Sequence, residues 1–166
     1  LCVWAKPSAG MGSFYRSQHE LVFVLKHGDA KHINNFGLGA RGRSRANVWK
    51  YPAVRGHRKG VNGPEEGHPT VKPVTLIMDA IRDCSRRRDI ILDPFGGSGT
   101  TLIAAERVGR IARLIEIDGH YIDLTIRRWQ DACGSSGATV AQSATTGDTG
   151  FWRAVNPWRT PCRGFA

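Results

Sequence analysis

The sequence predicts an α/β protein in which an open sheet carries a ligand site at the carboxyl end of one strand. A short apolar run, Ile90–Leu92, leads into the glycine-rich stretch Asp93–Thr101, and a stretch of helical character, Leu102–Val108, follows it. A buried strand, a glycine turn and a helix start in this order are typical of the ligand crevice of such sheets. The glycines let a ligand approach the backbone because they lack a Cβ, and the helix start offers unpaired N–H groups. A second apolar run, Ile111–Ile115, predicts the next strand.

Three kinds of ligand suit such a turn, and the residues around it separate them. A P-loop requires a Lys followed by Ser or Thr after its second glycine, whereas Gly99 is followed directly by Thr100 and Thr101. The dinucleotide fingerprint requires a third small residue three positions after its second glycine, and here Leu102 occupies that position. The third ligand is S-adenosylmethionine, which carries a carboxylate, a sulfonium and a ribose but no phosphate.

Acidic and aromatic residues beside the turn favour S-adenosylmethionine. Asp93 before the turn and Phe95 within it suit a cation near the loop. Glu116 ends the predicted second strand, roughly 20 residues further on, the usual place for an acid that accepts hydrogen bonds from ribose hydroxyls. The alternative is a glycine turn that only packs a helix on a strand, and the second acid argues against it.

Composition indicates a single globular domain with a polyanionic partner. The chain has 166 residues and a formal net charge of +10. This excess of positive charge favours a nucleic acid as the partner. The sequence contains no signal peptide and no apolar run long enough to span a membrane, and we expect a cytoplasmic, nucleoid-associated protein. The four cysteines form no Cys-x-x-Cys pair and no His lies at ligand spacing, so we expect no metal site.

Two strands and an intervening loop are predicted near the beginning of the chain. Leu1–Trp4 is apolar from its first residue, and Leu21–Leu25 is a continuous apolar run of strand length. A run that is apolar on both faces suits a strand inside a covered sheet. The loop between them contains Ser13–Arg16, which either connects the strands or forms a wall of the substrate pocket.

The stretch that follows is strongly basic. Between Ala40 and Gly60 it holds seven Arg or Lys residues and no Asp or Glu, with Trp49 and Tyr51 interleaved. Basic side chains neutralise phosphates and aromatic rings pack on sugars or bases, so this composition favours contact with nucleic acid. A solvated basic loop is the alternative that the residues leave open.

Two further helices follow from the spacing of apolar residues. Apolar side chains recur at helical intervals from Val74 to Cys84, directly after Pro73, whose fixed φ suits the first helical position. The same spacing predicts a helix from Tyr121 to Trp129. Gly, Ser, Ala and Thr dominate from residue 134, so residues 134–166 are predicted to form a flexible tail.

Three motifs in this order resemble those of a known enzyme family. His68–Pro73, Asp93–Thr101 and Ile115–Asp118 resemble the donor-binding half of the DNA amino-methyltransferases (the DNA methylase N-4/N-6 family). These enzymes methylate the exocyclic N6 of adenine or N4 of cytosine. Tyr15–Glu20, followed by a basic stretch and then by these motifs, is similar to the beta-class order, in which the catalytic motif comes first. The likeness covers Val3–Trp129.

The resemblance implies a Rossmann-like methyltransferase fold that binds S-adenosylmethionine and double-stranded DNA, as in restriction–modification systems. It implies one domain over residues 1–133, with target recognition in residues 31–67 and donor binding in residues 68–133. The residues implied for donor binding are Thr70, Lys72, Asp93, Phe95, Gly97, Gly99 and Glu116. The residues predicted to contact DNA are Tyr15, Arg16, His19, Arg41, Arg43, Arg45 and Trp49. Such enzymes draw the target base into a pocket, because its amine is inaccessible within the duplex.

One family motif is absent from the 166 residues. The family's catalytic tetrapeptide, Asp/Asn/Ser-Pro-Pro-Tyr/Phe/Trp, accepts hydrogen bonds from the target amine and stacks its aromatic ring on the base. Asn156–Trp158 contains one Pro and follows the glycine turn, the wrong side for the beta-class order, so we identify no catalytic residue in the chain. We expect the motif, with two strands of the sheet, to precede Leu1, which would make this chain the C-terminal portion of an incomplete methyltransferase fold.

Functions of different classes stay open at this point. The first is a site-specific DNA methyltransferase, inactive as this chain alone because the tetrapeptide is absent. The second is a catalytically inactive remnant that acts only as a module binding DNA or S-adenosylmethionine. A third is an RNA or small-molecule methyltransferase, since a donor-binding turn does not specify the acceptor. The basic stretch argues against a small molecule.

Overall fold

A computed structural model of the chain describes residues 1–35, 45–52 and 71–133, together with the backbone of residues 152–155. The elements of these residues are, in order, β1 (Cys2–Ala5), β2 (His19–Val22), β3 (Val48–Lys50), α1 (Val74–Cys84), β4 (Ile90–Asp93), α2 (Thr100–Arg107), β5 (Ile111–Glu116), α3 (Gly119–Cys133) and β6 (Trp152–Val155). The strands lie in two sheets, which we call the first sheet (β2-β1-β3) and the second sheet (β4-β5-β6).

The second sheet contains the predicted strand–turn–helix–strand unit. β4 and β5 are parallel, with Ile90 opposite Ile111 and Asp93 opposite Leu114, so both strands end at the same edge of the sheet. We call this edge the carboxyl edge. α2 makes the crossover that parallel strands require, and Leu102 of this helix packs in one core cluster with Leu114.

Helix α1 packs against both sheets. Its apolar residues recur at the predicted helical spacing. Leu76 lies in a core cluster with Trp4 and Trp49 of the first sheet, whereas Ile81 lies in the cluster formed with α2 and β5. The first sheet and the second sheet are therefore connected through the apolar face of one helix.

Arg110 fixes the direction of α1 relative to the second sheet. Its guanidinium donates to the Ser85 hydroxyl at 3.0 Å and to the Ser85 carbonyl at 2.6 Å, which joins the end of α1 to the segment between α2 and β5. Because α2 starts after β4 and returns to the beginning of β5, both helices end opposite the carboxyl edge and begin near it. Lys72 lies two residues before α1, at the end of this helix that is opposite Ser85.

The structure corrects the predicted second strand. β2 ends at Val22 rather than covering the apolar run Leu21–Leu25, because the antiparallel ladder with β1 closes where Cys2 lies opposite Val22. The next three residues of the run continue past this ladder and are exposed. The prediction of a strand covered on both faces is therefore wrong for this run.

Part of the stretch predicted as a tail forms a strand. Trp152–Val155 is β6, which pairs antiparallel with β5, with Val155 opposite Arg113 and Trp152 opposite Glu116. A strand of 4 residues shows too little alternation to be recognised from the sequence without its partner. The other residues of 134–166 lie outside the described part of the chain.

Neither a membrane span nor a metal cluster occurs in the ranges that the structure describes. None of the helices there has the length and apolar character needed to cross a bilayer. Residues 1–35, 45–52 and 71–133 likewise bring together no group of three His, Cys, Asp or Glu side chains suited to a metal ion.

Candidate donor site at the glycine turn

The glycine turn between β4 and α2 is fixed onto the end of β5. The Gly96 N–H donates to the Ile115 carbonyl at 2.8 Å, and the Gly99 N–H donates back to the Gly96 carbonyl at 2.9 Å. Gly97 and Gly99 have φ values of 51° and 77°, the left-handed region that favours glycine. The turn therefore has one defined conformation at the edge where the sequence predicts a ligand.

Asp93 closes the turn from the β4 side. Its Oδ1 accepts the Phe95 N–H at 3.0 Å, and its Oδ2 accepts the Thr101 hydroxyl at 2.6 Å. The side chain is half-buried, so part of the carboxylate still faces solvent. The acid stands at the start of the turn as predicted, and its role toward a ligand stays a prediction.

Glu116 closes the turn from the β5 side. Its Oε2 accepts the Gly97 N–H at 2.6 Å. Its Oε1 accepts the N–H groups of Ile117 at 2.9 Å and Asp118 at 3.0 Å. A carboxylate has about four lone-pair sites, and these three N–H groups use three of them, so Glu116 can accept one more hydrogen bond from a ligand. The structure thus brings the two predicted acids to opposite sides of the same turn.

Helix α3 donates two side-chain hydrogen bonds to the turn, a feature that the sequence did not predict. The Thr125 hydroxyl donates to the Gly97 carbonyl at 2.8 Å, and the Arg128 guanidinium donates to the Ser98 carbonyl. Thr125 is buried although α3 is otherwise mostly half-buried or exposed. Thr125 lies at helical spacing from Ile122 and Trp129. A Thr on the apolar face of a helix is the sequence feature that could have indicated this contact.

Two large apolar side chains next to the acids face solvent. Phe95 is 86% exposed and Ile117 is 89% exposed. Phe95 belongs to the predicted site, whereas Ile117 was not assigned a role. Its position directly after Glu116, where the strand has ended, is the signal that could have identified it. Each offers exposed apolar surface directly beside the turn or its acids in the chain.

Lys72, two residues before α1, lies in an ion pair. Its Nζ is 3.1 Å from Glu20 Oε2, and Lys6 Nζ is 2.7 Å from the other oxygen. Burial alone would raise the pKa of Glu20, but the two lysines hold it below its usual value. The role of Lys72 toward the donor stays a prediction. Thr70 lies outside the described residues.

The predicted DNA contacts of the β1–β2 loop are on the surface. Tyr15, Arg16 and His19 are all exposed. Arg16 Nε donates to the Gly10 carbonyl at 2.7 Å, so this guanidinium also fixes its own loop. Their contact with DNA stays a prediction.

The structure corrects one of the other predicted DNA contacts, Trp49, and gives another, Arg45, carboxylate partners. Trp49 is only 8% exposed, because it packs with Trp4 and Leu76 in the core of the first sheet, and its ring is unavailable to a base. Arg45 lies 3.4 Å from an Asp79 oxygen and 3.5 Å from an Asp83 oxygen. This exposed residue thus has two carboxylate partners on α1, and its contact with DNA stays a prediction. Arg41 and Arg43 lie outside the described residues.

We expect Tyr51→Phe to lower the free energy of unfolding by about 1 kcal/mol at neutral pH, because the Tyr51 hydroxyl donates to Asp79 at 2.6 Å. Burial and the Asp79 carboxylate raise the pKa of Tyr51 to about 12. A group with a raised pKa stabilises the fold fully below its unfolded value, about 10 for tyrosine, and less as the pH approaches the folded value. In urea denaturation, the difference between wild type and variant should therefore shrink from about pH 10 to about pH 12.

Tyr15→Phe is the matched control for this titration. Tyr15 is exposed on the β1–β2 loop, so the same substitution there should leave stability nearly unchanged throughout the range. A difference between wild type and Tyr51→Phe that keeps its size up to about pH 12 would contradict the assignment of the hydrogen bond.

Comparison with known proteins places this geometry among DNA methylases. The family model described as DNA methylase matches residues 1–127 of the chain. The match covers the first sheet, the glycine turn and most of α3. It omits residues 128–166.

Individual relatives are similar over part of their length. Type II methyltransferase M2.MboI of Moraxella bovis is 30% identical over 138 residues, which is 79% of this chain and 49% of that protein. DNA adenine methyltransferase YhdJ of Escherichia coli (strain K12) is 40% identical over 96 residues, which is 58% of this chain and 31% of that protein. The crystal structure of TTHA0409 from Thermus thermophilus, complexed with S-adenosyl-L-methionine, is 25% identical with a TM-score of 0.51, and the likeness covers 87% of this chain and 57% of that one.

These comparisons confirm the predicted Rossmann-like α/β fold. They also show that the chain spans about half the length, or less, of the curated relatives it matches. The likeness to the solved structure extends well beyond the glycine turn, since it covers 87% of the chain. The strand–turn–helix–strand unit with its paired acids is thus set in the fold that the sequence predicts.

Proposed function

The chain belongs to the DNA methylase family, and on that basis we propose that it is the donor-binding part of a DNA amino-methyltransferase. The reaction moves a methyl group from the sulfonium of S-adenosylmethionine to the exocyclic amine of adenine (N6) or cytosine (N4) in double-stranded DNA. The names of the relatives support this reaction, since one is a type II methyltransferase and another a DNA adenine methyltransferase. The ligand of the TTHA0409 complex supports the donor.

The observation that carries the proposal is the pair of acids on either side of the glycine turn. Asp93 and Glu116 end two adjacent parallel strands, and Glu116 reaches across the turn to the Gly97 N–H at 2.6 Å. Glu116 would accept a hydrogen bond from a ribose hydroxyl, and Asp93 would favour the positive charge of the donor. Both carboxylates are held by backbone donors, so they need no reorganisation to bind.

Other predicted site residues suit the remaining parts of the donor. Phe95 and Ile117 offer exposed apolar surface on which a purine ring can pack. Lys72 and Thr70 would hold the carboxylate at the methionine end. When bound, S-adenosylmethionine supplies a methyl group on a positively charged sulfur, and the residues of this chain bind and orient it.

Calorimetry with S-adenosylmethionine tests the donor site. We expect Asp93→Asn to weaken binding about tenfold, because a unit charge near a cation in a partly exposed site is worth about 1 kcal/mol or more. Asn still offers an oxygen to the Phe95 N–H, so the turn should persist. Asp89→Asn is the matched control, since this carboxylate accepts the Arg86 N–H at 2.8 Å at the opposite end of β4.

Two results would contradict the proposal. One is the absence of any heat of binding for a wild-type chain that is folded. The other is equal weakening by Asp93→Asn and Asp89→Asn, which would indicate a general effect of removing an acid from a basic protein. Retention of full affinity in Asp89→Asn with loss in Asp93→Asn would assign the donor to the turn.

The net charge of the chain supports double-stranded DNA as the acceptor of the methyl group. The chain carries a formal net charge of +10, and phosphate neutralisation by Lys and Arg dominates the affinity of proteins for DNA. The contacts we propose are Tyr15, Arg16 and His19 at the β1–β2 loop, and Arg41 and Arg43 in the basic stretch. Such a protein would be found with the nucleoid.

A module that binds without catalysis is the second candidate. The 166 residues contain no Asp/Asn/Ser-Pro-Pro-aromatic tetrapeptide, the group that in this family accepts hydrogen bonds from the target amine. Incubation of the chain with duplex DNA and tritiated S-adenosylmethionine distinguishes the candidates. Label in the DNA would establish transfer by this chain, whereas binding of donor and DNA without label would establish the module.

A further inference from the structure

The β1–β2 loop, residues 7–18, carries a pair of aromatic rings at its tip. Phe14 is 81% exposed and Tyr15 is 91% exposed. Their ring centroids are 4.3 Å apart and the planes are tilted by 53°. Met11, three residues before Phe14, is exposed as well. Adjacent exposed apolar side chains are a candidate contact with a partner.

Hydrogen bonds hold this loop in one shape. At its base, the Lys6 N–H donates to the Gln18 carbonyl at 2.8 Å, and the Gln18 amide donates to the Lys6 carbonyl at 3.0 Å. Nearer the tip, the Gly10 N–H donates to the Ser17 carbonyl at 2.8 Å, and Arg16 donates to the Gly10 carbonyl at 2.7 Å. The two rings are therefore presented by a preorganised loop, which reduces the ordering cost of binding.

The base of the loop is joined by ion pairs to the segment that precedes α1. Glu20, directly after the loop, pairs with Lys6 directly before it and with Lys72. Lys72 precedes α1, which begins near the carboxyl edge of the second sheet. The loop is thus anchored at its base to the beginning of this helix.

The charge around the loop suits a polyanion with flat, stackable surfaces. Glu20 is the single acid among residues 1–28, which also contain Lys6, Arg16 and Lys26. Both oxygens of Glu20 are paired with lysines, at 2.7 Å and 3.1 Å. Nucleobases stack on exposed aromatic rings whatever their sequence. Duplex DNA offers both the phosphates and the bases.

We propose that Phe14 and Tyr15 insert into the duplex beside the target base and stack in the gap that its extrusion leaves. The inference rests on the proposed function, because a gap arises only if a base is drawn out of the stack. Apolar wedges between base steps are a known device by which proteins unstack DNA. The pair acts as a positioning device and touches no reacting atom.

Binding to a duplex with one abasic site tests the proposal without knowledge of the recognised sequence. Fluorescence anisotropy compares this duplex with an intact duplex of the same sequence. We expect the wild-type chain to prefer the abasic duplex about tenfold, the size of one base–aromatic stack. Phe14→Ala with Tyr15→Ala should remove this preference, because it should weaken binding of the abasic duplex more than binding of the intact duplex. Affinity for S-adenosylmethionine should stay unchanged.

Phe23→Ala is the matched control, since Phe23 is an exposed aromatic residue just after β2 and outside the loop. It should keep the full preference for the abasic duplex. Equal binding of both duplexes by the wild-type chain would overturn the proposed insertion of Phe14 and Tyr15 but would not contradict DNA binding. Binding of neither duplex would contradict the proposed function itself. Dimerisation that the double variant abolishes, measured by sedimentation, would assign the rings to a second copy and overturn the proposal.

Discussion

Gly99→Ala is expected to lower the free energy of unfolding by about 3 kcal/mol or more. Gly99 has a φ of 77°, a conformation that costs a residue with a Cβ about 1–2 kcal/mol. A Cβ at this position would also lie 2.4 Å from Cγ2 and 2.7 Å from Oγ1 of Thr125, far inside van der Waals contact. Urea denaturation of variant and wild type measures the loss.

Gly28→Ala separates backbone strain from the collision with α3. Gly28 has a φ of 75°, nearly the same as Gly99, but an added Cβ would meet nothing within 4 Å. We therefore expect Gly28→Ala to cost only the conformational part, about 1 kcal/mol. Equal losses in the two variants would contradict the packing of Thr125 against the turn.

Thr125→Ser provides a rescue of the Gly99→Ala variant. It removes Cγ2, the atom nearest to the new Cβ at 2.4 Å, whereas Oγ1 at 2.7 Å and Cβ at 2.9 Å remain, so the relief is partial. The hydroxyl that donates to the Gly97 carbonyl at 2.8 Å is kept. The two changes should not be additive, and the double variant should regain about 1 kcal/mol over Gly99→Ala. Additive losses would show that α3 can move away from the turn.

The donor site could be predicted largely because its determinants are local in the chain. Strand, glycine turn, helix and second strand are consecutive, and the pairing of parallel neighbours brings Asp93 and Glu116 to one edge without any further information. The predicted boundaries differ from those of β4, α2 and β5 by one or two residues, as expected where helix ends are set by capping geometry.

The features that were missed or wrong depend on partners far along the chain. Arg45 belongs to a stretch without acids, but its carboxylate partners Asp79 and Asp83 lie on α1. Trp49 stands among basic residues, yet its ring packs against Trp4 at the beginning of the chain. A local charge or aromatic pattern reveals neither the distant carboxylate partners of Arg45 nor the burial of Trp49. The same limit applies to the contact that α3 makes with the turn.

Glu116→Gln is expected to weaken S-adenosylmethionine binding about 100-fold, since hydrogen bonds to a charged acceptor are worth about 1.5–3 kcal/mol each. Both oxygens of Glu116 already face backbone donors, Gly97 on one side and Ile117 with Asp118 on the other. A glutamine amide has a single acceptor oxygen. One of these sides would then face an NH2 group, and the acceptor proposed for the ribose would be lost as well.

Asp118→Asn is the matched control, because its Oδ1 accepts the His120 N–H at 2.9 Å and an amide oxygen can replace it. We expect this variant to bind the donor as the wild type does. Calorimetry and urea denaturation, measured on the same samples, separate the two roles of Glu116. Lower stability with unchanged affinity would limit Glu116 to holding the turn and would contradict its role toward the ribose. Lost affinity in a variant whose stability falls by only about 1–2 kcal/mol would require that Glu116 itself contacts the donor, since the folded turn would still be populated.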